Sequence, residues 1–303
     1  MKEENGLGVG ELGAFLRSRR AQVAPEDVGL VSYGARRVPG LRREELAHLA
    51  GVSATYYTRL EQGQSSNASE SVIESLARAL GLNEDERQHL YDLARPQPSK
   101  RRRTVRPDVA RQGTRRLLDA MRDVPAVVLG RRSEVLAWNQ LGHRLLAGHL
   151  DESAPNRPAD RPNLTWMLFL DPHTRDLYTR WEEESSRAVA SLRLVSGRYP
   201  DDPELAALIG ELCVKSPEFS TLWSKHPVQK CLSGSKYLRH PEVGELELEF
   251  EALQLSDDTG HRMLTYTAVP GTFSEAALQL LKAGVPTEDP VVRRNRSESM
   301  RRH

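Results

Sequence analysis

The stretch LAGVSATYYTRLEQG, Leu49 to Gly63, carries a glycine inside what otherwise reads as one continuous helical pattern. Before it, RREELAHLA predicts a helix with Leu46 and Leu49 directed inward. Gly51 is a residue type that tolerates the left-handed conformation just past a helix end. Ser53 then predicts the N-cap of a following helix that runs to about Gln62. We therefore predict two short helices joined by a tight turn.

Two helices that cross steeply need a tight connection and a small residue at their closest approach. Gly51 supplies the connection and Ala47 the small contact, while Tyr57 and Leu60 face inward to lock the pair. This is the helix-turn-helix arrangement, whose second helix lies in the major groove of DNA. The alternative is an ordinary helical hairpin whose glycine is only a C-cap. The spacing of Ala47, Gly51 and Tyr57 occurs together with an excess of arginines and a set of five predicted helices, both described below. This combination favours DNA binding.

The outward face of the second helix is predicted to contact DNA, because small N-terminal residues let a helix enter the groove. Its hydroxyls can bond bases or phosphates, and Arg59 can contact a guanine edge or a phosphate. Its predicted DNA-binding residues are Ser53, Ala54, Thr55, Tyr56, Thr58 and Arg59. Phosphate contacts, which give affinity and salt dependence more than sequence choice, are assigned to Arg36, Arg37, Arg42 and Arg43. The helix dipole also favours a phosphate near the N-terminal end of either helix.

The charge is unevenly distributed along the 303 residues, although the net charge is only +1. Eight arginines face four acidic residues between Arg17 and Leu60, and eight basic residues face one acid between Pro96 and Arg116. Positive charge in the first 116 residues predicts a polyanionic partner. The absence of an apolar run and of a secretory signal predicts a cytoplasmic protein with no membrane partner. The two cysteines, Cys213 and Cys231, have no metal or disulfide spacing and are expected to be inert thiols.

Helical patterns divide the first 95 residues into five short helices. The fourth is expected to bury Val72, Leu76, Ala79 and Leu80, and the fifth Leu90 and Leu93. The predicted organisation is a DNA-binding domain over residues 1–95, a basic linker over 96–104, a second domain over 105–284 and a disordered basic tail over 285–303.

The second domain has strand patterns as well as helical ones. GELELEFEALQL alternates Leu246, Leu248 and Phe250 with four glutamates, which predicts a strand with one face in water. KYLRH and HRMLTYTAV extend it to an antiparallel meander, and VVLGRRSEVLAWN predicts an earlier hairpin. Two helical stripes lie between them, Trp181, Ser185, Ala188, Leu192, Val195 and then Leu205, Leu208, Ile209, Leu212. This predicts an α+β domain.

These stretches resemble known families. LRREELAHLAGVSATYYTRLEQG followed by SVIESLARALGLNEDERQHLYDLA resembles the Xre (Cro/C1-type) helix-turn-helix domain in its actinobacterial form, with a PEDVGL...PGLRREE insertion. PAVVLGRRSEVLAWNQLG, KYLRHPEVGELELEFEAL and LTYTAVPG resemble the MmyB-like ligand-binding domain, which is PAS-like in fold. The resemblance implies a transcription regulator whose C-terminal domain holds a small apolar ligand such as a fatty acid. One departure is QSSNAS, where relatives place a Pro-Ser cap before the fourth helix.

A PAS-like sheet crossed by helices leaves a cavity of the kind that binds small molecules. The candidate ligand-binding residues are Trp138, Asn139, Trp166, Phe169, Trp181, Trp223, Tyr237 and Tyr266. For each aromatic the alternative is an ordinary core position, and for Asn139 it is a turn or cap.

Two short matches to enzyme motifs lack the context that would support them. Gly8, Gly10 and Gly13 spell G-x-G-x-x-G without a preceding strand, and Ser233 to Lys236 spell S-x-x-K without partner motifs. No catalytic or metal site is therefore predicted.

The predicted fold is multidomain, with an all-α five-helix Cro/C1-type domain followed by an α+β PAS-like domain that contains an antiparallel sheet. The predicted function is a sequence-specific DNA-binding regulator that binds a palindromic operator in double-stranded DNA as a homodimer and senses a small-molecule effector. The contrasting hypothesis is a DNA-anchored adaptor whose C-terminal domain only dimerises or binds a protein partner.

Overall fold

The computed structural model of the chain describes residues 6–30, 38–64, 68–95, 108–256 and 260–284. Arg36 and Arg37, the predicted linker and the predicted tail lie outside these ranges. The chain forms two compact units. The helical unit comprises Met1–Pro107, Asn163–Asp171 and Trp181–Cys231, and the sheet unit comprises Asp108–Pro162, Pro172–Arg180 and Leu232–His303. The domain boundaries that the sequence predicts stay a prediction.

Over the described ranges the chain forms thirteen α-helices and five strands. In chain order these are α1 (Gly6–Gln22), α2 (Arg43–Leu49), α3 (Ala54–Glu61), α4 (Glu70–Ala79), α5 (Glu84–Ala94), α6 (Gln112–Ala120), β1 (Ala126–Leu129), β2 (Val135–Trp138), α7 (Gln140–Ala147), α8 (Leu164–Leu170), α9 (Pro172–Leu177), α10 (Trp181–Arg198), α11 (Pro203–Lys215), α12 (Pro217–Ser224), β3 (Ser233–His240), β4 (Gly244–Gln254), β5 (Arg262–Thr267) and α13 (Phe273–Ala283). None of the described helices is both long and apolar enough to cross a membrane.

The first five helices enclose one hydrophobic core, as the periodicity predicts. Phe15, Leu46, Tyr57 and Leu76 are all fully buried in it. The prediction for Leu49 is wrong, because its side chain is 36% exposed at the last residue of α2. The chain turns away one residue later, so the last position of the stripe has no helix to pack against.

The buried face of α4 also differs from the predicted one. Ile73 and Ala77 are buried together with Leu76 and Leu80, whereas Val72 and Ala79 are only half-buried. The predicted and observed faces share Leu76 and Leu80, and the observed face extends toward Ile73 and Ala77 instead of Val72 and Ala79. Ser69 caps α4 by accepting a hydrogen bond from the Val72 amide, so this half of the usual Pro-Ser cap is retained.

The turn between α2 and α3 has the predicted form. Gly51 has φ of +66°, in the left-handed region. The Val52 amide donates to the Ala47 carbonyl at 2.9 Å, and the Ser53 hydroxyl accepts from the Tyr56 amide at 3.1 Å. These bonds satisfy backbone groups at the end of α2 and the start of α3.

The later helices α8, α10 and α12 of the helical unit pack through an aromatic cluster. The Phe169 ring meets Trp181 and Phe219 edge-on, with centroids 5.6 and 5.1 Å away, and Phe219 stacks on Trp223 at 5.6 Å. The sequence stripe for α10 omitted Arg193, which is 1% exposed. A charged residue at a helical core position is not found by an apolar pattern.

The sheet unit contains a five-stranded antiparallel sheet in the order β2-β1-β5-β4-β3. The predicted hairpin and meander are both confirmed, and β5 joins them by pairing with β1 and β4. Along β4, Leu246, Leu248 and Phe250 are buried while four glutamates are exposed, as the alternation predicts. The helix α6 covers Val128 and Met263 through Leu118. The multidomain fold, with an all-α first part and an α+β second part, is therefore confirmed.

Candidate nucleic-acid interface and effector region

The outer face of α3 presents the residues that the sequence assigns to DNA. Ser53, Thr55 and Arg59 are exposed, and Ala54, Tyr56 and Thr58 are half-buried. On the opposite side, Tyr57 and Leu60 are at most 1% exposed. The helix is thus fixed from behind, and its front face is available to a groove.

A carboxylate of the protein itself lies at the N-terminus of α2. The Arg42 amide at the start of α2 donates to the Glu45 carboxylate at 2.6 Å. This carboxylate occupies the position where a phosphate would gain from the helix dipole. The Arg42 side chain is exposed, so a phosphate contact at this residue would use the side chain.

The last residue of α3, Glu61, is a buried carboxylate that binds arginines from two other helices. Glu61 is 2% exposed, and its two oxygens accept from Nε and Nη2 of Arg20 at 2.9 and 3.1 Å. Nε and Nη2 of Arg43 also donate to Glu61, at 3.0 and 2.8 Å. Arg17 lies at 3.6 Å from the same carboxylate. Glu61 therefore holds α1, α2 and α3 together.

These bonds modify the prediction for Arg43. Two of its nitrogens are used by Glu61, yet its side chain is 43% exposed. The side chain of Arg17, which sequence reasoning did not select, is 61% exposed beside it. The signal that could have found Glu61 is its spacing, because it follows Tyr57 by four residues and so lies on the same helical face.

The charge state of Glu61 follows from its partners. Burial by itself would raise the pKa of Glu61, but the hydrogen bonds from Arg20 and Arg43 hold that pKa below its ordinary value. The carboxylate is therefore ionised at neutral pH and neutralises the arginines around it.

The predicted ligand residues are divided between the two units. Trp166, Phe169, Trp181 and Trp223 lie in the helical unit. Their contacts support the core alternative: Trp181 donates to the Leu168 carbonyl at 2.8 Å and Trp166 to Glu211 at 3.0 Å. The role of these four residues in ligand binding stays a prediction.

Two predicted ligand residues of the sheet unit lie on opposite faces of the sheet. Tyr266 pairs with Phe250, and Tyr237 pairs with Glu247. Since successive residues of β4 point to opposite faces, one cavity on one face cannot use both tyrosines. Tyr237 lies against Arg180, whose guanidinium carbon is 3.6 Å from the ring centroid, and the role of either tyrosine in ligand binding stays a prediction. Trp138 pairs with Val127 and shares the face of Tyr266.

Asn139 is the N-cap of α7. Its side-chain oxygen accepts from the Ala126 and Gly142 amides at 3.0 and 2.7 Å. Its amide group donates to the carbonyls of Met121 and Val124, both at 2.7 Å. These four bonds use the two donors and two acceptor sites of an asparagine side chain. A ligand contact at Asn139 would require one of them to break.

The comparison with known families matches this division of the chain. The family model for a helix-turn-helix domain matches residues 11–90. The family model described as MmyB-like transcription regulator ligand binding domain matches residues 110–281, more than half of the chain. The chain belongs to the MmyB-like transcription regulators. No curated protein matches the sequence.

The MmyB-like match defines residues 110–281 as the effector region, and the helix-turn-helix match defines residues 11–90 as the DNA-binding region. The protein is a DNA-binding transcriptional regulator with a ligand-binding domain. The three glycines of the G-x-G-x-x-G match lie in α1, and Gly13 among them has a packing explanation. A Cβ at Gly13 would lie 2.1 Å from the Glu61 carbonyl oxygen. The S-x-x-K tetrapeptide is the start of β3.

Both cysteines are half-buried, and neither forms a disulfide within the described residues. Burial raises the pKa of the Cys213 thiol, which keeps it in the less reactive protonated form at neutral pH.

Proposed function

We propose that the protein binds a palindromic operator as a homodimer, with α3 of each chain in the major groove. The observation that carries this proposal is the division of α3 into a buried face and an exposed face. Thr55 and Arg59 are exposed, while Tyr57, Leu60 and Glu61 are buried. One such helix reads only a few base pairs, so a pair of half-sites is needed for useful specificity.

Replacing Arg59 with alanine is expected to weaken binding about 5- to 150-fold for each half-site of the operator, because a side-chain contact to a base contributes about 1–3 kcal/mol of discrimination. Thr55→Ala is expected to weaken binding in the same direction. Fluorescence anisotropy on duplexes selected from a random library by the wild-type protein measures both effects. Arg78→Ala is the control, since Arg78 is exposed on α4. Unchanged affinity in both α3 variants would contradict the proposed reading face.

Two further readouts separate the parts of this proposal. Arg42→Gln is expected to reduce the slope of log affinity against log salt by about 1.8, which is about 0.9 for the phosphate contact that each of the two chains loses. The decrease is expected to be the same on all DNA sequences. Native mass spectrometry of the complex is expected to show two chains per duplex. One chain per duplex would contradict the homodimer while leaving the reading face intact.

We also propose that the effector region senses a small apolar acid, such as a fatty acid. The support lies on one face of the sheet, where Lys236 is 7% exposed and its ammonium lies 4.2 Å from the Phe250 ring centroid. By strand register this lysine shares its face with Leu238, Leu248 and Tyr266. A buried cation on an apolar face suits a ligand with a carboxylate and a hydrocarbon chain.

A panel of saturated fatty acids from octanoate to stearate is expected to raise the melting temperature of the wild-type protein, because a ligand that binds only the native state stabilises it. Lys236→Met is expected to remove most of this increase. Lys282→Met is the control, since Lys282 pairs with Asp123 elsewhere in the sheet unit. Equal shifts in the wild-type protein and Lys236→Met would reject the lysine as the carboxylate partner.

The adaptor hypothesis predicts a different result. No fatty acid would shift the melting temperature, protein purified from its host would carry no small molecule, and a pull-down would retain one stoichiometric protein partner. DNA binding by α3 would be the same under both hypotheses.

A further inference from the structure

Helices of the effector region complete the core of the DNA-binding region inside the helical unit. Val228, which follows α12, is 7% exposed and lies in the same hydrophobic cluster as Leu12, Phe15 and Leu90. Leu194 of α10 packs against this cluster. The two family matches therefore meet in one continuous core.

A buried ion pair crosses this contact. Arg193 of α10 is 1% exposed and donates from Nη1 to the Glu11 carboxylate of α1 at 3.0 Å. Its Nη2 donates to the Trp223 carbonyl, and its guanidinium lies 3.5 Å from the Trp223 ring centroid. The carboxylate of the DNA-binding region thus neutralises a cation that the effector region has buried.

Further polar contacts lie on both sides of this pair. Arg19 of α1 donates to the His226 carbonyl at 2.7 Å. The Lys230 amide donates to the Asp85 carboxylate at 2.8 Å. A Cβ at Gly197 of α10 would lie 2.5 Å from the His89 ring of α5. The close approach and the directional bonds restrict how α10 can slide on α1 and α5.

The same part of α1 also contacts the reading helix. Glu11 and Gly13 are two residues apart, and Gly13 lies directly against the backbone of Glu61 at the end of α3. Since a helix transmits a shift of one turn to the next, α1 connects α10 to α3 through a continuous set of packed groups.

We propose that the Arg193–Glu11 pair couples the effector region to the reading helix, so that a change in α10 alters the setting of α3 through α1. This proposal rests on the function proposed above and adds the route of regulation. A buried ion pair suits this task, because separating its two members would leave a charge buried without its partner. The pair therefore tolerates few alternative arrangements of α10 and α1. Arg193 is a positioning residue in this scheme and does not touch DNA.

Hydrogen exchange on the full-length free protein tests the coupling. Arg193→Met keeps much of the side-chain volume and removes the charge. It is expected to raise exchange of the α1 and α3 amides about tenfold. Glu11→Gln is expected to have a similar effect, and the double variant is expected to add little to either single one, since residues in one network are not additive. Arg187→Met is the matched control, because Arg187 is on α10 and its carboxylate partner Glu183 is on the same helix.

Operator affinity gives a second readout, expected to change at least fivefold in Arg193→Met and not in Arg187→Met. Exchange that rises only in α10 and α12, or single effects that multiply in the double variant, would overturn the coupling. If Arg193→Met does not fold, Glu11→Gln decides: its side chain is partly exposed, and unchanged α3 exchange would reject the proposal. A wild-type protein that binds no duplex would refute the proposed function alone, because the exchange experiment needs no DNA.

Discussion

Glu61→Gln is expected to lower the free energy of unfolding of the helical unit by about 3–5 kcal/mol, the cost of leaving one member of a buried ion pair without its partner. Arg20 is 7% exposed and makes two hydrogen bonds to this carboxylate. The amide keeps the shape of the side chain but removes its charge. Urea unfolding followed by circular dichroism at neutral pH measures the change.

Glu44→Gln is the matched control, since Glu44 is exposed on α2. It is expected to change the free energy of unfolding by less than about 0.5 kcal/mol. The low pKa of Glu61 also gives a pH dependence. A carboxyl with a folded pKa below its unfolded one stabilises the protein above the unfolded pKa, about 4.3, and the stabilisation is lost as pH falls through the folded pKa. Equal stability of Glu61→Gln and Glu44→Gln would show that the cluster does not hold the three helices.

A second large effect is expected at His89, which is fully buried in α5. Neither ring nitrogen has a hydrogen-bond partner within the described residues. Burial, together with the positive charges of Arg193 and Arg19 and the nearby His226, lowers the pKa of His89 to about 3. The His89 imidazole is therefore still neutral in the folded protein at the pH at which the same imidazole begins to protonate in the unfolded chain.

The sign of the resulting pH dependence follows from proton counting. As pH falls from 6.5 toward the folded pKa of about 3, the unfolded chain binds between half a proton and one proton more at this site, so stability falls as pH falls. From pH 6.5 to 4.5 the loss is about 2.3 kcal/mol, because the slope rises from about half of 1.36 kcal/mol for each pH unit to nearly the full value. Burial and the two arginines also lower the pKa of His226 to about 4, which acts in the same direction.

Replacing His89 with leucine is expected to remove the His89 share of this loss. At pH 7.5 the variant is expected to stay within about 1.5 kcal/mol of the wild-type stability, because the volumes are similar and two unsatisfied nitrogens disappear. Urea unfolding at pH 7.5, 6.5, 5.5 and 4.5, values that roughly bracket the unfolded pKa, gives the slope of the free energy of unfolding against pH. His48→Gln, at an exposed site on α2, is expected to keep the wild-type slope. A slope in His89→Leu equal to that of the wild type would contradict the buried neutral imidazole.

Local chemistry explains what the sequence predicts well. Gly51 and Ser53 act on backbone groups within a few residues of themselves, so the turn and the start of α3 follow from the sequence alone. Tyr57 and Leu60 follow from helical periodicity, and the β4 alternation follows from the two-residue period of a strand. These features need no knowledge of a distant residue.

The features that could not be predicted from the sequence depend on distant partners. Arg193 looks like a surface residue until Glu11 and Trp223 are known to surround it. The sequence shows which residues alternate within a strand but not which strand residue pairs with Tyr237, so its face stayed unknown until the register was seen. Glu61 is the same kind of case, because its partners Arg20 and Arg43 come from two other helices.

The two faces of α3 share no side chain, and this gives the helix a property useful to an engineer. Tyr57, Leu60 and Glu61 fasten it, whereas Thr55 and Arg59 face outward. The exposed positions of α3 can therefore be randomised while the buried residues that hold the helix in place stay unchanged. Libraries at these positions would yield regulators that recognise new operators and keep the original effector.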